Sequence, residues 1–530
     1  MVRFPEFGTP TSVRWRFERL NRPSPLRGSN GVVFGPDGLL YVAQFLAGQI
    51  SAVDITTGRV EVVVPPTGPA RAPDDLAFGA DGSMYVADIT PSRVWRRSPD
   101  GEFSLLSEEV RAPNGITCVG DRLFVNEMFP RGRVLELPPD RAPVVLAEGL
   151  ALGNAMQRGP DGLLYYPHMI TGQVWRVGLD GGDAEQVAAE VHEPVAVRFD
   201  REGVLHVLSR GEEGIVTRID PDTGRREVTR TGVAGMDNAA FDRENRMLVS
   251  SFASGGITAI EAKRARAVVG RGLNGPYGVA ADERGRVYAA DHFRLAFDEL
   301  STDGLLQQRV GGSCHDLAVT EGAVHVTSTQ GEVRTFDPAT GSVRTRASEL
   351  SEPLGVAVLG DALVVAESGS GRVLRIDAGD ERSVLAELVR PVGVATDAQQ
   401  RCYVTDEGRG VVVEVTENGV ETIVDELDRP QGVVVVDHEL FVLEVGARRL
   451  LSVSPSTRAS RVEAENLAVG TPPGIERENP PPSTFPPSRP RAFAGLAATP
   501  EGDLLLSASG EGTVQRLSTA AQRAPRAQRP

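Results

Sequence analysis

Residues 30–44, with the sequence NGVVFGPDGLLYVAQ, decide the fold. A short apolar strand is followed by a tight Asp-Gly turn and then by a second apolar strand. Copies of this unit recur at intervals of about forty residues along the chain. The twelve copies open at Asn30, Asp74, Asn114, Asn154, Val195, Asp237, Tyr277, His315, Leu354, Val392, Gln431 and Ala494.

Each copy divides into an inner, a second, a third and an outer strand, separated by turn residues. A period near forty with four short strands per unit is typical of a β-propeller blade. A ring of twelve blades would leave a wide, unfilled channel, whereas common propellers have about four to eight blades. The sequence therefore predicts an all-β chain of two tandem six-bladed β-propellers, built from four-stranded antiparallel blades.

The repeats place the first propeller at residues 1–263 and the second at 264–518, followed by a disordered tail at 519–530. The last copy lacks an outer strand, and unassigned strands occur at residues 12–20 and 265–271. We expect residues 12–20 to close the first ring and residues 265–271 the second. The alternative is that the N-terminal strand closes the far ring. The Pro-rich segment 471–490 interrupts the last repeat as a surface excursion or as an arm over the second channel.

Charge and cysteine content exclude several classes of function. The chain has 72 acidic and 56 basic residues, a net charge of -16, which argues against nucleic acid as a partner. Three cysteines in 530 residues do not form a disulfide framework. The N-terminal residues lack the apolar core of a signal peptide, and no apolar run is long enough to cross a membrane. We expect a cytoplasmic protein with a small-molecule ligand and no membrane partner.

The residues that open the inner strands differ between the two halves. In the first half five of six are Asn or Asp, and in the second half none is. Side chains converging on one channel offer oxygen ligands to a hard cation, which makes calcium the first expectation and magnesium, manganese or zinc the alternatives. The other interpretation, in which Asn and Asp cap turns, predicts the same residues in both halves. The expected metal ligands are Asn30, Asp74, Asn114, Asn154 and Asp237.

Several phrases resemble the gluconolactonase and senescence-marker-protein lactonases, which are six-bladed metal-dependent hydrolases. They are GPDGLLYV at 35–42, PNGI at 113–116 and MDNAAFDRENRMLVS at 236–250. The phrases YVAD at 85–88 and YVTD at 403–406 are similar to NHL-type repeats. The resemblance implies a divalent cation held by two Asn, matching Asn114 and Asn154, and by an Asp, matching Asp237. The family's Glu falls where this chain has Ser29 and Asn30.

A second set of positions lies at the ends of the second strands, on the same face. His168 breaks the pattern there and is a candidate general acid or base, with a hydrogen-bonded rim histidine as the alternative. Glu127 is a candidate base or ligand, although acidic residues at this position commonly bind backbone amides. Asp237 is the third candidate catalytic residue.

Large apolar residues follow the second strands of the first half and suggest an apolar-walled substrate pocket. Packing between neighbouring loops is the alternative. The pocket candidates are Phe45, Met128, Phe129, Met169 and Phe252.

Together these features predict a metal-dependent hydrolase that acts on a lactone or ester of a moderately apolar small molecule at the channel mouth of the first propeller. A metal-dependent lyase, isomerase or cyclase would use the same residues. A non-catalytic double propeller that binds a ligand or a protein partner is the remaining alternative, since propellers host both kinds of function. In each case the second propeller is expected to be structural or to bind a protein partner.

Overall fold

The computed structural model describes residues 7–261, 264–291, 294–297, 306–308, 314–416, 418–470 and 493–519. These residues form twelve four-stranded antiparallel sheets, and none of them lies in a helix. No helix long and apolar enough to cross a membrane occurs in this part of the chain. The Pro-rich segment 471–490 and the tail residues 520–530 lie outside the described residues. The predicted fold class is confirmed: the chain is built of β-propeller blades.

The first compact unit contains residues Pro25–Arg271 and six sheets, which we number blades 1 to 6. Inner strands of neighbouring blades contact one another all round, including blade 1 with blade 6, so that the ring is closed. From inner to outer strand the blades are Ser29–Phe34, Leu40–Gln44, Gln49–Asp54 and Arg59–Val64; Pro73–Phe78, Met84–Asp88, Arg93–Arg97 and Phe103–Ser107; Pro113–Val119, Arg122–Glu127, Pro130–Glu136 and Val144–Ala151; Gln157–Arg158, Leu164–His168, Gln173–Val177 and Glu185–Ala188; Pro194–Phe199, Leu205–Ser209, Ile215–Ile219 and Arg226–Arg230; Met236–Phe241, Met247–Ser251, Ile257–Glu261 and Arg264–Val269.

The second compact unit contains the other described residues, 7–24, 272–470 and 493–519, in blades 7 to 12. Blade 7 contacts blade 12, which closes this ring as well. Its strands, in the same order, are Pro276–Ala281, Val287–Asp291, Arg294–Phe297 and Leu306–Gln308; Cys314–Thr320, Ala323–Ser328, Glu332–Phe336 and Val343–Ala347; Pro353–Leu359, Ala362–Glu367, Arg372–Ile376 and Arg382–Glu387; Pro391–Thr396, Cys402–Asp406, Val411–Thr416 and Gly419–Val424; Pro430–Val436, Glu439–Glu444, Arg449–Val453 and Ser460–Ala464; Leu496–Ala498, Leu504–Ala508, Thr513–Thr519 and Trp15–Arg19.

The tight turn between inner and second strands follows from local chemistry. In blade 1, Gly38 has a φ of 82°, a conformation that glycine adopts without a steric penalty. The Asp37 side chain accepts a hydrogen bond from the Leu39 amide at 3.1 Å, which fixes the turn. The same sequence signal marks the equivalent turns in other blades.

The expected ring closures are wrong. Residues Arg264–Val269 form the outer strand of blade 6 and pair with Ile257–Glu261 in the first propeller. The N-terminal strand Trp15–Arg19 pairs with Thr513–Thr519 and completes blade 12 of the second propeller. A local hairpin already completes blade 6, because strands adjacent in sequence pair readily. Only blade 12 is left without a fourth strand, and the N-terminal strand fills it.

The hydrophobic core is divided into clusters that lie between neighbouring blades. In the second propeller Trp15 packs edge-to-face on Phe441 at 5.8 Å between ring centroids, and its indole N–H donates to Glu463 at 3.0 Å. Trp15 belongs to one buried cluster with residues of blades 11 and 12. These contacts explain why the N-terminal strand belongs to blade 12.

Candidate functional site

A β-bulge opens almost every inner strand of the first propeller. The pairing with the second strand shifts between Ser29 and Val32 in blade 1, and the same irregularity occurs in blades 2, 3, 5 and 6. A bulge interrupts the alternation of side chains and re-aims the residue within it. The opening residues of these repeats lie in the bulges, so they depart from the alternation of the strands that follow.

Three of the expected ligands form a hydrogen-bonded group. The side-chain amides of Asn30 and Asn114 donate to the two carboxylate oxygens of Asp74, the second at 2.5 Å. All three side chains are buried. The Oδ1 atom of Asn30 is buried and has no hydrogen-bond partner in the described part of the chain. An orphaned amide oxygen beside a carboxylate is an unusual feature that calls for a ligand.

Asp237 opens the inner strand of blade 6 and carries a second buried carboxylate, at 5% exposure. Burial raises its pKa to about 6, and the positive charges of Arg210 and Arg198 oppose that rise. Burial raises the pKa of Asp74 well above its usual range, and the neighbouring charges of Asp237 and Asp75 raise it further. The two opening carboxylates are therefore close enough to repel each other, and a cation between them would relieve that repulsion.

Asn154 is placed differently from the other expected ligands. Its Oδ1 accepts the backbone N–H of Ala155 at 2.7 Å, and its amide group donates to the Met169 sulfur at 3.1 Å. The Asn114 amide makes a matching contact with the Met128 sulfur at 3.2 Å. Asn154 is thus linked to Met169 and to its own strand, and its hydrogen bonds do not join it to Asp74.

A buried ion pair adjoins this group and was missed by the sequence analysis. Arg198 lies with one terminal guanidinium nitrogen 3.8 Å from Asp75, and it donates hydrogen bonds to the carbonyls of Ala239, Met156 and Val197 at 2.9–3.0 Å. The signal in the sequence is a charged residue inside PVAVRF, an otherwise apolar inner strand.

Six equivalent residues of the first propeller, one from each blade, directly follow the second strands. Each donates its backbone N–H to the carbonyl two residues before the opening residue of the same blade. Five are apolar and one is a cation; they are Phe45, Ile89, Met128, Met169, Arg210 and Phe252. We call this set the upper ring.

The upper ring contains four of the five expected pocket residues. Phe45 and Phe252 lie with their ring centroids 6.1 Å apart, and Phe45 and Met128 pack on the same small apolar cluster. Phe129 is one residue beyond the ring, and the Arg111 guanidinium lies 4.6 Å from its ring centroid. The structure therefore groups Phe45, Met128, Met169 and Phe252 by position and places Phe129 outside the ring.

The contacts of Glu127 are those of a structural carboxylate. It is fully buried and binds Arg111 at 2.7 Å and Arg133 at 2.5 Å, and these partners lower its pKa against the opposing effect of burial. It also accepts the backbone N–H of Arg111, as Asp88 does for Arg71 in the preceding blade. These contacts match the backbone-binding alternative, and none of them joins Glu127 to Asp74 or Asp237.

His168 lies in an aromatic stack. Its ring is stacked on Trp175 at 5.4 Å and lies 5.7 Å from Tyr166, and burial lowers its pKa to about 4. Its Nε2 atom is buried and has no hydrogen-bond partner in the described residues. This histidine is therefore neutral at pH 7, and its ring contacts are with residues of its own blade.

The side chains at the opening positions could hold a hard cation only if an amide oxygen joins the carboxylates as a ligand. The described residues contain no group of three His, Cys, Asp or Glu side chains that could hold a metal ion. Asp74 and Asp237 supply two carboxylates, and Asn30 supplies a buried oxygen without a partner. Carboxylate and amide oxygens are the ligands that calcium prefers, with water completing the shell.

The equivalent positions of the second propeller are occupied differently. Tyr277, Leu354 and Val392 form one buried apolar cluster with Phe493. His315 Nδ1 lies 3.1 Å from the Pro353 carbonyl oxygen. The described opening residues of the second propeller therefore include no carboxylate.

No protein-family model matches the chain, and no curated protein matches it. Solved structures with a similar fold include a streptogramin B lyase at 17% identity, covering 52% of this chain and 95% of that protein with a TM-score of 0.40. A gluconolactonase from Xanthomonas campestris is 17% identical, covering 45% and 86% with a TM-score of 0.38. A nidogen/laminin complex is 18% identical, covering 43% and 90% with a TM-score of 0.38. Identities this low concern the fold alone.

Proposed function

We propose that the first propeller binds a divalent cation at its channel mouth and hydrolyses a lactone or ester of a moderately apolar small molecule there. The observation that carries the proposal is the pairing of two buried, mutually repelling carboxylates, Asp74 and Asp237, with the unpartnered amide oxygen of Asn30. Two carboxylates buried near each other are costly even with arginines nearby, and a bound cation would offset that cost. Calcium is the first candidate by ligand type.

When bound, such an ion polarises a carbonyl oxygen and lowers the pKa of a water molecule. Asp74, Asp237 and Asn30 would hold it. The amide of Asn114 keeps the carboxylate of Asp74 in place through its 2.5 Å hydrogen bond. Asp237, for which no hydrogen bond is observed within the described residues, is free to accept a proton from an attacking water molecule.

The upper ring would bind the apolar part of the substrate. Phe45, Met128, Met169 and Phe252 lie on the loops that follow the second strands, and the opening residues of blades 3 and 4 touch the two methionine sulfurs. Methionine side chains adapt to irregular ligands, and the apolar ring would exclude water from the reacting group.

A lyase, isomerase or cyclase reaction would use the same cation and the same carboxylates, so the reaction type has to be measured. The second propeller, whose equivalent positions carry no carboxylate and are mostly apolar, serves in this proposal as a structural or partner-binding half.

The experiment has two stages. Purified protein is first stripped with a chelator and titrated with calcium, magnesium, manganese and zinc by isothermal calorimetry, and then assayed against a panel of lactones and aryl esters. Asp74→Asn and Asp237→Asn should weaken cation binding and abolish turnover, while His315→Ala in the second propeller should leave both unchanged. If the stripped wild-type protein binds no cation, the proposal is wrong. If only His315→Ala abolishes turnover, the active site lies in the second propeller and not in the first.

A further inference from the structure

We propose that Arg210 recognises an anionic group of the ligand, so that the natural ligand is an apolar molecule bearing one carboxylate. This inference rests on the proposed function for the location of the site. Arg210 is the only charged member of the upper ring, and its backbone hydrogen bond to Glu193 places it at the same position in its blade as the apolar members in theirs. Its positive charge also opposes the rise in the pKa of Asp74 and of Asp237.

The backbone of Arg210 is fixed while its side chain keeps its hydrogen-bonding capacity. Its N–H donates to the Glu193 carbonyl at 2.9 Å, and its guanidinium lies 5.4 Å from the Phe252 ring centroid. Among the described residues no acceptor takes a hydrogen bond from this guanidinium. A planar group with five N–H donors is suited to bind a carboxylate through two parallel hydrogen bonds.

Comparison with two other residues indicates that the fold itself does not require the charged side chain of Arg210. Arg198, the other cation of the site, is occupied by three backbone carbonyls and by Asp75. In the second propeller the residue equivalent to Arg210 is Val445, whose N–H donates to the Arg429 carbonyl in the same way. The fold therefore tolerates an apolar side chain at this position.

The charges of the site explain how an anion could bind next to three carboxylates. Asp74, Asp75 and Asp237 face two guanidinium groups, those of Arg198 and Arg210, which leaves one negative charge when all are ionised. A divalent cation changes that balance to one positive charge. Arg210 is then no longer needed as a counter-ion for the aspartates and can pair with a ligand.

The surroundings of Arg210 limit the ligand further. The other upper-ring residues are apolar, so the body of the ligand should be apolar as well. An open groove of about 390 Å³ adjoins the ring and is lined by Met169, Ile170, Glu190 and Glu193 among others. The two glutamates would repel a second anionic group, which favours a monocarboxylate over a dicarboxylate.

The test compares binding of 3-phenylpropionate with binding of its uncharged amide, 3-phenylpropionamide, by calorimetry, so that it does not depend on turnover. Wild-type protein, Arg210→Gln, Arg210→Lys and the control Arg218→Gln are each measured with excess calcium and again with a chelator. Arg218 lies in the same blade and pairs with Glu227 on the surface. Thermal unfolding confirms that each variant is folded.

We expect wild-type protein to bind the carboxylate at least tenfold more tightly than the amide, which corresponds to about 1.4 kcal/mol. Arg210→Gln should lose that preference, Arg210→Lys should keep part of it, and Arg218→Gln should keep all of it. A preference that survives in Arg210→Gln, no preference in the wild type, or no binding of either compound would each overturn the inference. If the Arg210-dependent preference is equal with chelator and no cation binds, Arg210 remains the anion-binding residue, whereas the charge argument above and the proposed metal-dependent function both fail.

Discussion

Replacing Asp316 with Asn should stabilise the second propeller at alkaline pH. Asp316 follows the opening residue of blade 8, as Asp75 does in blade 2. Each accepts a backbone N–H from the next blade: Asp316 from Val356 at 3.2 Å, and Asp75 from Ile116 at 3.3 Å. Asp75 has Arg198 beside it, and its pKa is raised to about 6. Asp316 has no ion-pair partner among the described residues, and burial raises its pKa to about 7.

The sign and size of the effect follow from proton linkage. A carboxyl whose pKa is raised in the folded state stabilises that state below its unfolded pKa of about 4, and this stabilisation is lost as pH rises through 7. A rise of about three pKa units corresponds to roughly 4 kcal/mol at pH 8 as an upper bound. The amide of the Asn variant can still accept the Val356 N–H and carries no charge to bury. The variant should therefore match the wild type near pH 4 and exceed it increasingly up to pH 8.

The assay is urea unfolding at several pH values, followed by tryptophan fluorescence. The chain has three tryptophans, and Trp15 is the one in the second propeller. In a Trp95→Phe/Trp175→Phe background Trp15 reports on that propeller alone. Asp337→Asn is the control, because it changes a partly buried turn carboxylate of the same propeller whose pKa is lowered by hydrogen bonds from Thr340 and Ala339. It should not produce this pH-dependent gain. A difference between variant and wild type that does not grow with pH would refute the reasoning.

Three further substitutions, one of them paired with a control, test the packing and the assignment of roles. Trp15→Ala should destabilise the second propeller by about 3–5 kcal/mol, seen as a shift of its unfolding transition by circular dichroism, while the first propeller is unaffected. Glu127→Gln should lower the unfolding free energy of the first propeller by roughly 1–3 kcal/mol yet leave calorimetric cation affinity unchanged; a large loss of affinity would show that Glu127 is a ligand. Gly31→Ala would place a Cβ 2.5 Å from the Asp75 Cα and should cost about 1–3 kcal/mol in thermal unfolding, whereas Gly38→Asn at an open turn should cost less.

The repeat pattern was sufficient to predict the blades, because apolar strands at a fixed period can bury their faces only against neighbouring copies. It could not decide the ring closure. Residues 12–20 and 265–271 are both strands that the repeat pattern leaves unassigned. The choice between them depends on contacts such as that of Trp15 with Glu463, which are 448 positions apart.

The channel mouth was predictable only in part. The contrast between the two halves identified Asp74 and Asp237, but the bulges that set the positions of the opening residues have no distinct sequence signal. Arg198 and Arg210 were missed, although Arg198 interrupts an apolar inner strand and Arg210 is the one charged member of the otherwise apolar upper ring. Glu127 shows the opposite limit: a carboxylate at a candidate position turned out to be held by two arginines.

The pairing of the N-terminal strand with the last blade makes the second propeller discontinuous in sequence. The chain begins this propeller, leaves it after Ser24, completes the whole first propeller, and returns at Gly272. The two exit points adjoin one another, since a Cβ added to Gly272 would lie 2.6 Å from the Ser24 Cβ. The first propeller is thus an insertion whose ends leave from a single place in its host. Joining residue 24 to residue 272 by a short linker should yield the second propeller alone, and the segment 25–271 should fold separately as the first propeller.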